Sequence, residues 1–268
     1  LDFGGDEKAE ALRLASALGI SGSANRLILF GDVDATAQLL PLVQNQALHH
    51  LIAESLPNAL DRVVLTARRL LDRTSAGISP YLPWGLRGKG FQISASSHRS
   101  TALAEMASDL EALGLSDRFK EAAATVADEF MMNAIWDAPV DENGKRLFNH
   151  LSRETPITLP EDRRVEFRYA CSGTDLYLTI FDSFGSLALD TVLSNLERTL
   201  KGGSDQINQA SGGAGLGLFM ILESLVEWVV DVEPGTSTLM VGRIHVGGSF
   251  RQHLAMPKSL HLFGGGPA

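Results

Sequence analysis

Cysteine is nearly absent. The single residue of this type, Cys171, has no partner within the chain, so no internal disulfide forms and the fold needs no oxidising compartment. Long apolar runs are missing too: none approaches the roughly 20 residues a membrane-spanning helix needs, and no signal-peptide pattern opens the chain. Basic charge is short, with 23 Lys and Arg against 32 Asp and Glu and a formal net charge of −9. That balance disfavours a general nucleic-acid binder, because such proteins neutralise phosphates with basic patches. The densest basic group, Arg68, Arg69 and Arg73, reads as a solvated helix face. A cytoplasmic protein engaging neither membrane nor nucleic acid is expected. The chain opens at Leu1 in LDFGG, without Met and in what reads as a strand end, so further residues are expected upstream.

A chain of 268 residues with 44% hydrophobic content can bury one large core or two modest ones, and ordinary domain sizes favour two. Residues 1–73 alternate short apolar runs (RLILF, LHHLIAES) with helical patterns (KAEALRLASAL, LPNALDRVVLTARRLLDR), the mark of βαβ units and a parallel sheet. Residues 74–90, TSAGISPYLPWGLRGKG, are rich in Pro and Gly and read as a linker. A second unit is expected over residues 91–256, followed by a flexible tail at 257–268.

Within the second unit, FQIS reads as a strand, and Leu103, Met106, Leu110 and Leu113 recur at helical spacing. Ser116 is placed to cap a helix of about five turns, with apolar positions Phe119, Ala123, Val126, Phe130 and Ala134, which Pro139 ends. RRVEFRYA and DLYLTIFD flank the turn signal CSGT as an antiparallel hairpin. EWVVDVE and STLMVGRIHV, joined through PGT, are their expected partners.

Three features carry chemistry. On the long helix Glu129, Asn133 and Asp137 fall at i, i+4 and i+8, one polar stripe in which a carboxylate can activate a nucleophile and an amide oxygen can ligate Mg²⁺. Asp182 closes the strand DLYLTIF, where a buried carboxylate can accept a hydrogen bond from an exocyclic amine; Asp-Ser before Gly is equally good turn chemistry. Gly212-Gly213-Ala214-Gly215-Leu216-Gly217 precedes an apolar helical run, so backbone N–H groups at a helix start can meet phosphate oxygens. No Lys-Ser or Lys-Thr follows, which excludes a P-loop, and the polar NQAS before it speaks against a Rossmann turn. Taken singly, each feature has an ordinary structural explanation.

Their order changes the reading. A helical E-x-x-x-N, then a strand-end Asp, then a G-x-G-x-G loop opening a helix resembles the GHKL superfamily of ATPases and kinases over residues 91–246. The resemblance implies an α/β two-layer sandwich with a Bergerat ATP pocket, in this chain following an N-terminal parallel βαβ fragment. It implies Glu129 as general base or water-orienting residue, Asn133 as magnesium ligand with Asp137 beside it, and Asp182 and Gly185 at the adenine. Gly213, Gly215, Leu216 and Gly217 become the phosphate loop, reached through a mobile lid drawn from residues 187–212. Thr236 or Thr238 becomes a polar strand residue near the adenine. ATP and Mg²⁺ are the implied ligands. Two departures stand out: Phe184 and Ser186 occupy the family's usual D-x-G-x-G glycine positions, and Asp137-Ala138 stands where the serine kinases carry His-Gly or His-Ala.

The FQIS strand, a helix with Arg99, the GLSDRF turn and the E-x-x-x-N helix look most like the anti-sigma-factor serine kinase branch. That likeness implies phosphoryl transfer to a Ser or Thr of a regulatory protein partner, an anti-sigma antagonist or sigma-like factor, and is compatible with a homodimer. Three alternatives remain: a nucleotide-gated binding module without turnover, a pseudo-receiver interaction protein whose nucleotide domain is vestigial, and the catalytic part of a histidine kinase. Against the last, His98 lacks a flanking helical hairpin. Residues 1–73 loosely resemble the later half of a response-regulator receiver. Asp2 would stand at the phosphoacceptor position, but Gly31 replaces the hydroxyl residue and Ala53 or Glu54 the lysine, as in a degenerate, protein-binding receiver.

Overall fold

The computed structural model describes residues 28–30, 49–72, 81–202 and 214–264. Its elements in chain order are β1 (Ile28–Phe30), β2 (His50–Ile52), α1 (Leu60–Asp72), β3 (Lys89–Gln92), α2 (Ser97–Ala112) and α3 (Asp117–Met132), which runs on into a π-helical turn (Asn133–Asp137). There follow β4 (Val165–Cys171), β5 (Asp175–Asp182), α4 (Leu189–Gly202), α5 (Ala214–Ser224), β6 (Glu227–Glu233), β7 (Ser237–His245), α6 (Phe250–Ala255) and β8 (Ser259–Phe263). The fold is mixed α/β.

All eight strands belong to one sheet in the order β1-β2-β8-β6-β7-β5-β4-β3. The expected hairpins β4–β5 and β6–β7 both form, and β5 joins them by pairing antiparallel with β7. β1 and β2 are parallel, as their alternating pattern predicts, and β2 pairs antiparallel with β8. β8 in turn runs parallel to β6. The segment read as a tail therefore supplies the strand that ties the N-terminal β1 and β2 to the rest. Five consecutive buried residues, Ser259 to Phe263, explain why it orders: an interior strand buries both faces, and its signature is a continuous run rather than an alternation.

Side chains alternate across the sheet. One face sends Leu176, Leu178 and Ile180 of β5, with Trp228 and Val230 of β6, into the main core shared with α2, α3, α4 and α5. The opposite face carries Val229, Leu239, Val241 and Phe263, covered by Tyr81 and by Leu65 and Leu70 of α1. Tyr81 lies in the stretch read as a linker, yet its ring is 5% exposed. Arg69 departs from the solvated-face reading: it is buried, grips Asp231 through two hydrogen bonds of 2.6 and 2.9 Å, and lies over the Phe263 ring. Sequence proximity to Arg68 concealed this, because adjacent helix residues point in different directions.

α4 is a second difference. The stretch expected as a lid contains a helix with Leu189, Val192, Leu193 and Leu196 buried at helical spacing, whereas residues 203–213 lie outside the described residues. Asp2 and Gly31 also lie outside them. Ala53 is buried directly after β2 and donates its amide to the Ser259 hydroxyl at 3.0 Å. Among the described residues, no helix is long and apolar enough to cross a membrane.

Candidate functional site

α3 forms for the reasons its sequence supplies. Ser116, in extended conformation, is its N-cap residue, although its side chain makes no capping bond. Phe119, Ala123, Val126 and Phe130 bury one face against the sheet. The helix does not end as a regular one. Asn133–Asp137 widen into a π turn closed by a 2.7 Å bond from the Ala138 amide to the Asn133 carbonyl. The extra residue per turn takes Asp137 off the i, i+4, i+8 stripe expected for it, and such insertions recur at functional sites.

Glu129 and Asn133 remain neighbours. The Asn133 amide nitrogen donates to the Glu129 carbonyl at 2.7 Å, which orients the amide and leaves Oδ1 to accept from or ligate something else. The Glu129 carboxyl is half-buried, and its pKa lies above the usual carboxylate range. Burial is the main cause; Asp128 adds to it, Asp137 adds less, and Arg153 and Arg99 oppose it. Asp137 is held by Arg153 at 3.0 Å, and Asp128 by Arg99 at 2.7 Å. Both guanidinium groups lie over the buried Trp136 ring, at 5.5 and 5.9 Å. Arg153 escaped the sequence reading because nothing in its local SRET setting marks it.

The glycine-rich stretch meets this helix face directly. Gly215 and Leu216 lie in the first turn of α5, and Gly217 follows them there; Gly213 falls outside the described residues. At Gly217 the chain passes so close to α3 that a β-carbon would collide with the Glu129 carboxylate. Glycine at this position therefore leaves room for an acidic group, an assignment that periodicity alone does not make. Gly217→Ala is expected to be neutral or mildly destabilising in the native background, since the flexible carboxylate must rotate away. With Glu129→Ala it should stabilise by about 1 kcal/mol, the ordinary gain of Ala over Gly in a helix. A denaturant double-mutant cycle should give a coupling of about 1 kcal/mol, and strict additivity would rule the contact out.

Asp182 ends β5 on the side of the sheet that faces α3, in phase with Leu178 and Ile180, and β5 touches both α3 and the π turn. It is 4% exposed. Its Oδ1 accepts the amides of Phe184 at 2.9 Å and Gly185 at 3.2 Å, so the turn chemistry expected of Asp-Ser-Phe-Gly is realised. Oδ2 takes no part in those bonds. Burial pushes the carboxyl up to about 6, although the two amides, the Thr238 hydroxyl and Arg146 all favour the ionised form. Thr238 is paired with Asp182 in the ladder, without an aligned side-chain hydrogen bond. Thr236 is exposed in the β6–β7 turn, so of the two threonines Thr238 is the one beside Asp182.

The departures from the family pattern have structural accounts. Phe184 is 2% exposed and packs into the main core with Arg163 over its ring. Gly185, at φ +59°, lies against the Glu233 carbonyl with no space for a side chain. The Ser186 hydroxyl donates to the Ala138 carbonyl at 2.6 Å and accepts from Arg146 at 3.0 Å, tying the turn after Asp182 to the end of the π turn. Glycine in place of Ser186 could not make that link.

No protein-family model matches the chain, and a search of curated proteins returns no match. Among the described residues no group of three or more His, Cys, Asp or Glu is placed to hold a metal ion. A cation at this site would rest on Asn133 and take its remaining ligands from phosphate oxygens and water, the usual arrangement for Mg²⁺.

Proposed function

We propose that the chain binds ATP with Mg²⁺ between α3, α5 and the end of β5, in a Bergerat-type site, and acts as a serine/threonine protein kinase on a regulatory partner. The observation that carries this reading is the meeting of Glu129, Asn133 and Gly217 on adjoining helices, with Asp182 facing the same layer. In this reading Asp182 Oδ2 accepts the exocyclic amine of the base, while Oδ1 stays with its two backbone amides. The N–H groups of the first turn of α5 meet the phosphate oxygens, and Asn133 Oδ1 holds the cation, whose charge offsets that of the transferring group. Glu129 takes the proton from the partner hydroxyl as its oxygen bonds to the γ-phosphorus and ADP leaves. A desolvated carboxyl of raised pKa suits that role better than a solvated one.

A second reading, ATP binding that gates a partner surface without turnover, draws support from Phe184. Its ring fills core space at a position where the resemblance expects glycine, which alters the adenine end.

Calorimetric titration with Mg-ATP tests the proposal. One saturable site is expected, with affinity about tenfold weaker in Asn133→Ala and, in that variant, no longer improved by Mg²⁺ over EDTA. Absence of saturable binding by the native chain would dismiss both readings.

A further inference from the structure

The sheet face turned away from Glu129 and Asp182 holds a cavity of about 370 Å³, within the range of small-ligand sites. Its floor is the outer side of the β4–β5 hairpin. Tyr177 and Thr179 lie there because they alternate with Leu176, Leu178 and Ile180, which enter the main core, and Ala170 of β4 lies beside them. The wall is the segment 81–88, pinned at one end by buried Tyr81 and folded at its tip by a 3.0 Å bond from the Leu86 amide to the Pro83 carbonyl. Leu82 and Leu86 give this wall an aliphatic surface.

Two guanidinium groups line the same cavity. Arg168 is engaged by Glu166. Arg87 is exposed and has no ion-pair or hydrogen-bond partner among the described residues. An apolar floor and wall, one phenol, one hydroxyl and an uncommitted cation select a flat apolar body ending in a negative charge. A neutral ligand would leave Arg87 unused, and an inorganic anion would leave the partly exposed Leu82 and Leu86 uncovered.

We infer that this cavity binds a small aromatic anion, one or two fused rings bearing a carboxylate, with the rings against Leu82, Leu86 and Tyr177 and the carboxylate on Arg87. The inference is independent of the nucleotide reading, since it uses the other face of the sheet and none of the same residues.

Equilibrium dialysis of the full chain with naphthalene-2-carboxylate and with the uncharged 2-naphthamide tests it. One saturable site is expected, at which the carboxylate binds at least about tenfold more tightly, as a charge-assisted hydrogen bond provides. Arg87→Gln should abolish that preference while leaving the amide's affinity within about twofold. Ala170→Leu, which adds three carbons at the cavity floor, should weaken saturable binding of both. Equal affinity for the two ligands, a preference that survives Arg87→Gln, or no saturable binding by the native chain would each overturn the assignment. Arg87 is exposed, so its variant should fold, and its result decides even if Ala170→Leu does not.

Discussion

Asp182→Asn is expected to weaken adenine-nucleotide binding by at least ~100-fold while the protein stays folded, as calorimetry and circular dichroism would show. The hydrogen bonds dictate the sign. The Phe184 and Gly185 amides require an acceptor, so the introduced amide's oxygen must remain where Asp182 Oδ1 now sits. Its NH₂ then replaces Oδ2 and meets the exocyclic amine donor to donor. A buried donor left unpaired costs about 1–3 kcal/mol, and the lost bond to a charged acceptor adds a similar amount.

Stability should move the other way. The Asp182 carboxyl has a folded value of about 6 against 3.8 unfolded. A raised acid contributes stability that is fully present below pH ~4 and lost as pH rises through ~6, in total on the order of 3 kcal/mol. The neutral side chain of the Asp182→Asn variant carries no such pH-dependent contribution, so the variant should not melt lower at pH 7, and its stability should vary less between pH 4 and 7. Nucleotide affinity of the native chain should fall up to ~10-fold per pH unit below ~6, where protonation removes the acceptor, and this dependence should vanish in the variant. Unchanged ATP affinity in Asp182→Asn would sink the adenine assignment.

Glu129→Gln is expected to retain ATP binding within a few-fold yet slow phosphoryl transfer by ~10²–10⁴, the usual contribution of a general base. Positioning and charge stabilisation carry most phosphoryl-transfer catalysis, and Asn133, the cation and the α5 terminus still supply them. The neutral amide matches the carboxylate in size, so the close approach at Gly217 is preserved, but it cannot take the hydroxyl proton. In the native chain transfer should increase with pH through the raised Glu129 value, because the base must be ionised, and the variant should lose that limb. The assay requires the partner protein, captured first on the ATP-loaded chain and then incubated with radiolabelled ATP. Acid-stable label, as on serine, supports the kinase reading, whereas acid-labile label points to a histidine acceptor. Tight ATP binding with no labelled partner would replace the kinase by the nucleotide-gated module.

Much of the fold is legible in the sequence because its determinants are local. α3, β4, β5, β6 and β7 carry clear periodicities, and each ends at Pro139 or at a turn such as CSGT or PGT. The identities of Glu129, Asn133 and Asp182 as polar groups at the ends of such elements follow from the same patterns. α4 is legible too, in LDTVLSNLERTL, but the expectation of a lid displaces the periodicity already present.

What only the tertiary structure decided are the relations between distant segments. The place of β8 between β2 and β6, the burial of Arg69 against Asp231, and the approach of Gly217 to Glu129 depend on contacts that no window of adjacent residues encodes. The choice of Thr238 over Thr236 turned on where β7 begins: Thr236 stays in the exposed turn, while Thr238 enters the ladder opposite Asp182. The π turn arose where α3 runs toward Pro139, with the Ala138 carbonyl accepting from Ser186. Composition and periodicity determine which faces must be buried; which surface buries each one is set by the packing of the whole sheet.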